Sequence, residues 1–317
     1  MKSLLVLIFV CISSVLFGQQ MHMNSSYIFN EMLVNPGATG SKKDYIPLHL
    51  NFRKQWTSFP GSPTTQSLSC HSEVEANFGF GGTLFNDNSG PSRRTGLNVN
   101  ASYIMKLDGQ NKSKFIGFGL GITLAQHVID IDKLNTYFPD DPAVIRGYNN
   151  RIVPDANVGV YFKWKDNAFV GLSAYNLVQT NRDLYDFQNP LYNPLARTYY
   201  LLFGYDFPTE SKMVYKTSAL VRAIETGTFQ FDVTGMAVWN NTVWFGLSYR
   251  NLDAVSALIG CQIGQFKIGY SYDYTLSDIG RYSSGSHEFF LELQMYNMPG
   301  SGGRNWFKRN LRYAPKI

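Results

Sequence analysis

Histidines, cysteines and paired carboxylates are the residues with which this chain could do chemistry, and their spacing argues against it. The histidines are His22, His49, His71, His127 and His287. No two stand at i, i+4 or another metal-ligand spacing, and Cys70 and Cys261 do not complete a zinc site. His127 precedes Asp130 and Asp132, a grouping that would suit a hydrolase at a strand end. An ordinary polar residue at that strand end is the plainer reading. Asp130 and Asp132, with Asp140 and Asp141, offer carboxylates to calcium but lack the ordered spacing of a calcium loop. The glycine-rich stretch 77–82 precedes no helix, so it does not form a phosphate site. We expect no enzyme, no metal and no cofactor.

The elements that carry these residues read as strands. From Leu97 the chain alternates: Leu97, Val99, Ala101, Tyr103 and Met105 are apolar, while Asn98, Asn100 and Ser102 are polar. Successive side chains on a strand point to opposite faces, so the strand has one oily and one polar face. Ile116, Phe118, Leu120, Ile122 and Leu124 oppose Gly117, Gly119, Gly121 and Thr123 in the same way. Fourteen such strands are predicted: 46–56, 64–71, 78–85, 95–107, 114–127, 156–164, 168–176, 197–206, 213–223, 228–239, 242–249, 254–263, 266–274 and 286–295. No segment has sustained helical periodicity. Connections after even strands are short. Those after odd strands are often long: 57–63, 86–94, 128–155, 177–196 and 275–285. Outer-membrane barrels sort their periplasmic turns and outer loops in this way. Trp164, Trp239 and Trp244 then fall at periplasmic strand ends, as an interfacial belt would.

Composition agrees. Aromatic residues make up 15% and charged residues only 16%, against a usual charged share of about 25%, and the mean hydropathy is −0.18. That suits a wall greasy on one side and wet on the other. A net charge of +5 without aromatic-basic interleaving gives no support to nucleic-acid binding. Residues 1–18 read as a secretory leader, with Lys2, the apolar run Leu4 to Val10 and Gly18. Residues 19–45 are a periplasmic or plug segment, 46–295 the transmembrane antiparallel β-barrel, and 296–317 a basic periplasmic tail. The inferred lumen face mixes Lys106, Lys163, Lys216, Arg222 and Lys267 with Asp232, Asp273, Glu288 and Glu292, which suits internal ion pairs. The glycine row of the fifth strand leaves room for a plug, formed by the N-terminal segment or by loop 128–155. On facing alone, Gly119→Ser in the lumen is expected to be tolerated and Leu120→Arg on the lipid face is not.

Three stretches carry a resemblance: YIFNEMLVNPGATGSKKDY (27–45), NFRKQWTSFPGSPTTQSLSCHS (51–72) and GFGGTLFNDNSGPSRRTGLNVNASY (79–103), followed by IDIDKLNTYFPDDPAV (129–144). In order and spacing they are similar to the PorP/SprF family of Bacteroidetes outer-membrane proteins, linked to type IX secretion and gliding. Gly37-Ala38-Thr39-Gly40 stands where the family usually carries Ala-Tyr-Ala-Gly. The resemblance implies a non-enzymatic barrel in the bacterial outer membrane. Such a barrel helps export, or anchors at the surface, a large secreted protein with a type IX C-terminal domain. It also implies a periplasmic ring or a peptidoglycan-binding OmpA-like protein as partner. Arg53, Trp56, Asn86, Asp87 and Arg94 are placed near the outer rim as partner-binding residues; bracing the two hairpins is the other role open to them. In the tail, Arg304, Trp306, Lys308, Arg309 and Arg312 would meet the periplasmic partner, or would simply be a solvated charged end. The alternative function is an outer-membrane channel for small solutes or hydrophobic molecules.

Overall fold

The structure is a computed structural model that describes residues 24–42, 44–74, 77–109, 113–130, 133, 150–165, 167–180 and 195–296. Residues 1–23, which include the leader, residues 134–149 and 181–194, and the tail after 296 lie outside the described residues. The fourteen strands are β1 Tyr45–Lys54, β2 Thr64–Glu73, β3 Phe78–Ser89, β4 Ser92–Lys106, β5 Phe115–Ile129, β6 Asn150–Trp164, β7 Ala168–Tyr175, β8 Thr198–Pro208, β9 Met213–Ile224, β10 Phe229–Trp239, β11 Val243–Arg250, β12 Ala254–Ile263, β13 Phe266–Thr275 and β14 Ser286–Tyr296. Each pairs antiparallel with its sequence neighbours, and β1 pairs with β14 from Tyr45↔Tyr296 to Lys54↔His287, closing the barrel. No helix among the described residues is long and apolar enough to cross a membrane. The strands cross instead, with every ladder satisfied inside the closed sheet.

The alternation sets the facing. On β5, Leu120 is 65% exposed outward while Gly119 and Gly121 face in. Three expectations change. First, β3 and β4 run on to a tight Gly90-Pro91 turn, because the polar run 86–94 pairs with itself: Asn86↔Thr95, Asp87↔Arg94, Asn88↔Arg93. Cross-strand side-chain bonds replace the apolar contacts that normally mark a strand: Arg93 Nε and Thr95 Oγ1 donate to Asn86 Oδ1 at 3.0 and 2.8 Å. Second, β6 starts at Asn150 rather than 156, so its outer end was read as loop. Pro154 masks it in sequence, yet β7 pairs with β6 only from Val158 onward. The proline nitrogen therefore breaks no ladder bond, and the Pro154 carbonyl accepts from Thr180 Oγ1. Third, Trp244 is buried in the lumen at 3% exposure, while Trp164 and Trp239 stay on the outside. Register decides it: Val243, Phe245, Leu247 and Tyr249 take the lipid face of β11, leaving Trp244 inside.

The N-terminal segment 24–42 occupies the lumen as three single 3-10 turns, Tyr27–Phe29, Glu31–Leu33 and Pro36–Ala38. Ser25 and Ser26 bond Glu288 in the outer half of β14, and Lys42 lines the periplasmic depression with Glu292 and Gln294 of that strand. The chain thus runs down inside the barrel before β1 starts at the periplasmic rim.

Candidate functional site

Three regions meet along this inner segment. The first is a glycine cradle. Asn35 caps the last 3-10 turn, its Oδ1 accepting from the Gly37 N–H at 2.8 Å, and its Nδ2 donates to the Val160 and Leu172 carbonyls at 3.0 and 3.3 Å. The wall facing it is glycine. A Cβ at Gly117, Gly119 or Gly159 would overlap the backbone of Pro36 and Gly37 or the Asn35 side chain, and a Cβ at Gly37 would sit 2.7 Å from the Gly117 carbonyl oxygen. Thr39 accepts from Ser102 Oγ at 2.7 Å, and the Gly40 N–H donates to His71 Nδ1 at 2.9 Å. Gly40 lies at φ +72°, a left-handed conformation that glycine adopts freely.

The second region is a buried ion cluster in the outer half. Arg53 bonds Asp273 at 2.6 Å and Glu288 at 3.0 Å, and Arg250 bonds Asp232 at 3.1 Å and approaches Asp273 at 3.5 Å. The plug completes it. The Ser25 N–H donates to Glu288 at 2.7 Å, and Ser25 Oγ donates to Asp273 while accepting from Arg250 at 3.1 Å. Bidentate, charge-assisted contacts of this kind satisfy charges that burial would otherwise penalise heavily. Nearer the periplasm, Phe29 packs on Phe290 and Trp244 at 4.6 and 5.4 Å between ring centres, with the Lys267 ammonium 4.6 Å over its ring. Lys42 pairs with Glu31 at 2.9 Å. Burial pushes the Glu31 carboxyl up, but the Lys42 ammonium outweighs it and holds that carboxyl below its ordinary range.

The third region is the outer end. Loop 55–63 hydrogen-bonds the β13–β14 loop through Thr57 N–H to the Gly285 carbonyl, and the β3–β4 tip through Gly90 N–H to the Gly61 carbonyl, at 2.8 and 2.9 Å. The Gly-Ser-Pro and Gly-Pro turns of the sequence are thus one clasp.

The five rim residues do not share one surface. Arg53 is 2% exposed and committed to the ion cluster. Asn86 braces the outer face of the β3–β4 hairpin. Trp56 sits in the first loop at φ +50°, its N–H donating to Ser286 Oγ at 3.1 Å. Asp87 and Arg94 face inward, and Arg94 lies over the Phe85 ring at 4.9 Å. The tail residues Arg304, Trp306, Lys308, Arg309 and Arg312 lie outside the described residues. Sequence reading passed over Arg250 and Ser25. Arg250 did carry a signal, since it continues the polar face of β11 two residues after Ser248; Ser25 carried none.

Two depressions open into the lumen among the described residues. The outer one has about 970 Å³ of empty space including its mouth; the periplasmic one has about 1600 Å³. Between them lie the plug and two apolar clusters built on Tyr27 and Phe29. The described residues hold no group of three or more metal-ligating side chains. Cys70 and Cys261 are both free.

Comparison with solved structures finds the toluene transporters TodX of P. putida (TM-score 0.51, 10% identity, 85% of this chain and 95% of that one) and TbuX of Ralstonia pickettii (0.50, 8%, 84% and 93%). At this identity they speak to the fold, that of a barrel of the outer membrane. Comparison with curated proteins finds no match. A family model described as type IX secretion system membrane protein PorP/SprF matches residues 16–293. With that match spanning most of the barrel and the plug, the chain belongs to the PorP/SprF family of type IX secretion system membrane proteins.

Proposed function

We propose that this barrel is an accessory of type IX secretion that docks, helps export or anchors at the surface a secreted protein bearing a type IX C-terminal domain. The observation that carries the reading is the plug. Segment 24–42 is held by backbone contact with a glycine wall on one side and by a buried ion cluster on the other. A lumen filled in this way favours a rigid body that presents its ends to partners. The outer end supplies Trp56 and Asn86, and tryptophan is favoured at protein interfaces. The basic tail, with Arg304, Trp306, Lys308, Arg309 and Arg312, would meet a periplasmic ring or a peptidoglycan-bound OmpA-like partner, where positive charge speeds encounter with an acidic surface.

Co-purification from native outer membrane tests the reading. Trp56→Ala should leave heat-modifiable folding intact and lower recovery of the secreted partner. Cutting the chain after Gly303 should leave a folded barrel and weaken recovery of periplasmic components. Full recovery from both variants would remove the docking reading at these surfaces. The second reading, a channel for small solutes or hydrophobic molecules, draws on the two depressions that approach each other from opposite ends. Steady conductance of the purified barrel in a planar bilayer would favour it.

A further inference from the structure

The outward face of the barrel is apolar along the strands and changes character at its outer end. Lys54 of β1, His287 of β14 and Tyr272 of β13 stand side by side there, since Lys54↔His287 and Tyr272↔His287 are register partners. All three take outward positions, in step with Phe52 and Phe289, which lie two residues deeper and are each 43% exposed. The His287 ring is held in place. Its Nδ1 shares a hydrogen bond with the Tyr270 hydroxyl at 2.6 Å, and the Tyr272 ring lies 5.2 Å away, centre to centre. Tyr272 is itself tied to the β13–β14 loop, its hydroxyl donating to the Ser284 carbonyl at 3.0 Å. With Nδ1 engaged, Nε2 is the nitrogen that His287 offers outward. It carries a proton whenever the tyrosine hydroxyl is the donor, and also in the imidazolium. Lys54 is exposed, and its ammonium makes no ion pair and no hydrogen bond among the described residues. No aspartate or glutamate takes an outward strand position among the described residues. The nearby loop acid Asp278 has its own cation, Arg281 at 3.7 Å. Long basic side chains at a bilayer rim lay their stems on apolar surface and keep the charge at headgroup level, where tyrosines also collect.

We infer that this corner of the outer rim is a binding site for an outer-leaflet lipid whose headgroup carries a phosphate. The Lys54 ammonium and His287 Nε2 take the phosphate oxygens, and Phe52 and Phe289 take the upper part of an acyl chain. Hydrogen bonds from charged donors to phosphate oxygens are short and strong, which suits an ammonium beside an imidazole. Placement selects a lipid over a soluble anion. The two donors sit on the face that meets the bilayer, with apolar side chains directly beneath them, in the order in which a lipid presents headgroup and chain. Lys54 also leads into loop 55–63, which hydrogen-bonds the β13–β14 loop through Thr57 and Gly285. A lipid held here lies against the base of the outer clasp.

The test uses the full-length barrel in detergent and follows bound lipid by native mass spectrometry. The probes are phosphorylated lipid A, the same lipid after phosphatase treatment, and inorganic phosphate as competitor. The phosphorylated form should bind at least about tenfold more tightly than the dephosphorylated one, a difference of about 1.4 kcal/mol. Lys54→Gln with His287→Gln should erase that preference in a barrel that still shows heat-modifiable mobility. Lys54→Gln alone, at an exposed position, should lower it part of the way, which keeps the site testable if the double variant assembles poorly. Lys54→Arg should retain it. Tyr270→Phe should reduce the preference without changing the affinity for the dephosphorylated lipid, because Tyr270 acts only by positioning the imidazole. Phe52→Ala should weaken both forms alike. Lys212→Gln, exposed in the turn between β8 and β9 at the periplasmic end, should change nothing. Equal affinity for the two lipids would overturn the site. So would an undiminished preference in a folded double variant, or a loss in Lys212→Gln as large as in Lys54→Gln. Release of the lipid by inorganic phosphate at concentrations similar to its own would overturn the assignment to a lipid.

Discussion

The two sides of the lumen hold the same short segment by opposite means. Toward β3–β7 the plug backbone touches the wall backbone across Gly117, Gly119 and Gly159, with Asn35 reaching into the sheet carbonyls. Toward β10–β14 nothing comes so close. Contact there runs through long side chains, Arg250 and Glu288 with Arg53 of the neighbouring β1 in the outer half and Phe29, Trp244 and Phe290 below. Backbone contact has no give, because no rotamer can move aside. Side-chain contact can relax, but it leaves buried charges stranded when one partner goes. One side should therefore fail by steric exclusion and the other by electrostatics.

The largest effect expected is Gly119→Val. Overpacking a well-packed site costs typically 1–3 kcal/mol and more where only backbone can yield, so this variant should give little heat-modifiable barrel. Gly119→Ser should also lose assembly, which reverses the expectation from facing alone. Normal yields of both would break the cradle half of the comparison. Arg53→Met should come next, lowering stability by about 3–5 kcal/mol because Glu288 is left without its cation and Asp273 keeps only the longer contact to Arg250. A denaturation midpoint equal to wild type would contradict the ion cluster, whereas recovery in Arg53→Met with Glu288→Leu would sharpen it. Leu120→Arg, one residue from Gly119 but on the lipid face, should cost roughly 2–4 kcal/mol in membrane assembly. Thr234→Ser, which keeps the hydroxyl that donates to Ser248 at 2.8 Å, should assemble as wild type. If Leu120→Arg assembles as well as Thr234→Ser, the facing is wrong.

The smallest effect concerns the periplasmic end. The Glu31 carboxyl is held below its ordinary value in the folded protein, so its contribution is fully present above the unfolded value, about pH 4.3 for glutamate. It is lost as pH falls through the folded value. Thermal midpoints should therefore fall with acidification below about pH 4.3. In Glu31→Gln the midpoint should start lower at neutral pH and fall less steeply. Parallel curves for the two proteins would show that the Glu31–Lys42 pair contributes nothing to holding the plug.

Strand count, facing and closure were legible in the residues because a strand writes its environment every second position. Leu120 and Gly119 declare lipid and lumen without any partner being known. The cradle was half legible. The glycine row of β5 announced that something passes close, and Asn35-Pro36-Gly37 announced a turn, but no local pattern says that these two meet. The β3–β4 hairpin and the outer end of β6 were misread as loop because their bonds are polar or masked by Pro154, and polar cross-strand pairs leave no hydrophobic trace. The ion cluster was beyond the sequence altogether. Arg53, Asp232, Arg250, Asp273 and Glu288 lie on five strands that only closure of the barrel brings together, and Ser25 joins them only because the plug begins in the outer half of the lumen. For most strand positions a period of two already announces which face a side chain takes, though the aromatic Trp244 was read to the wrong side. Which charges meet depends on register around a closed ring, and only the folded barrel settles it.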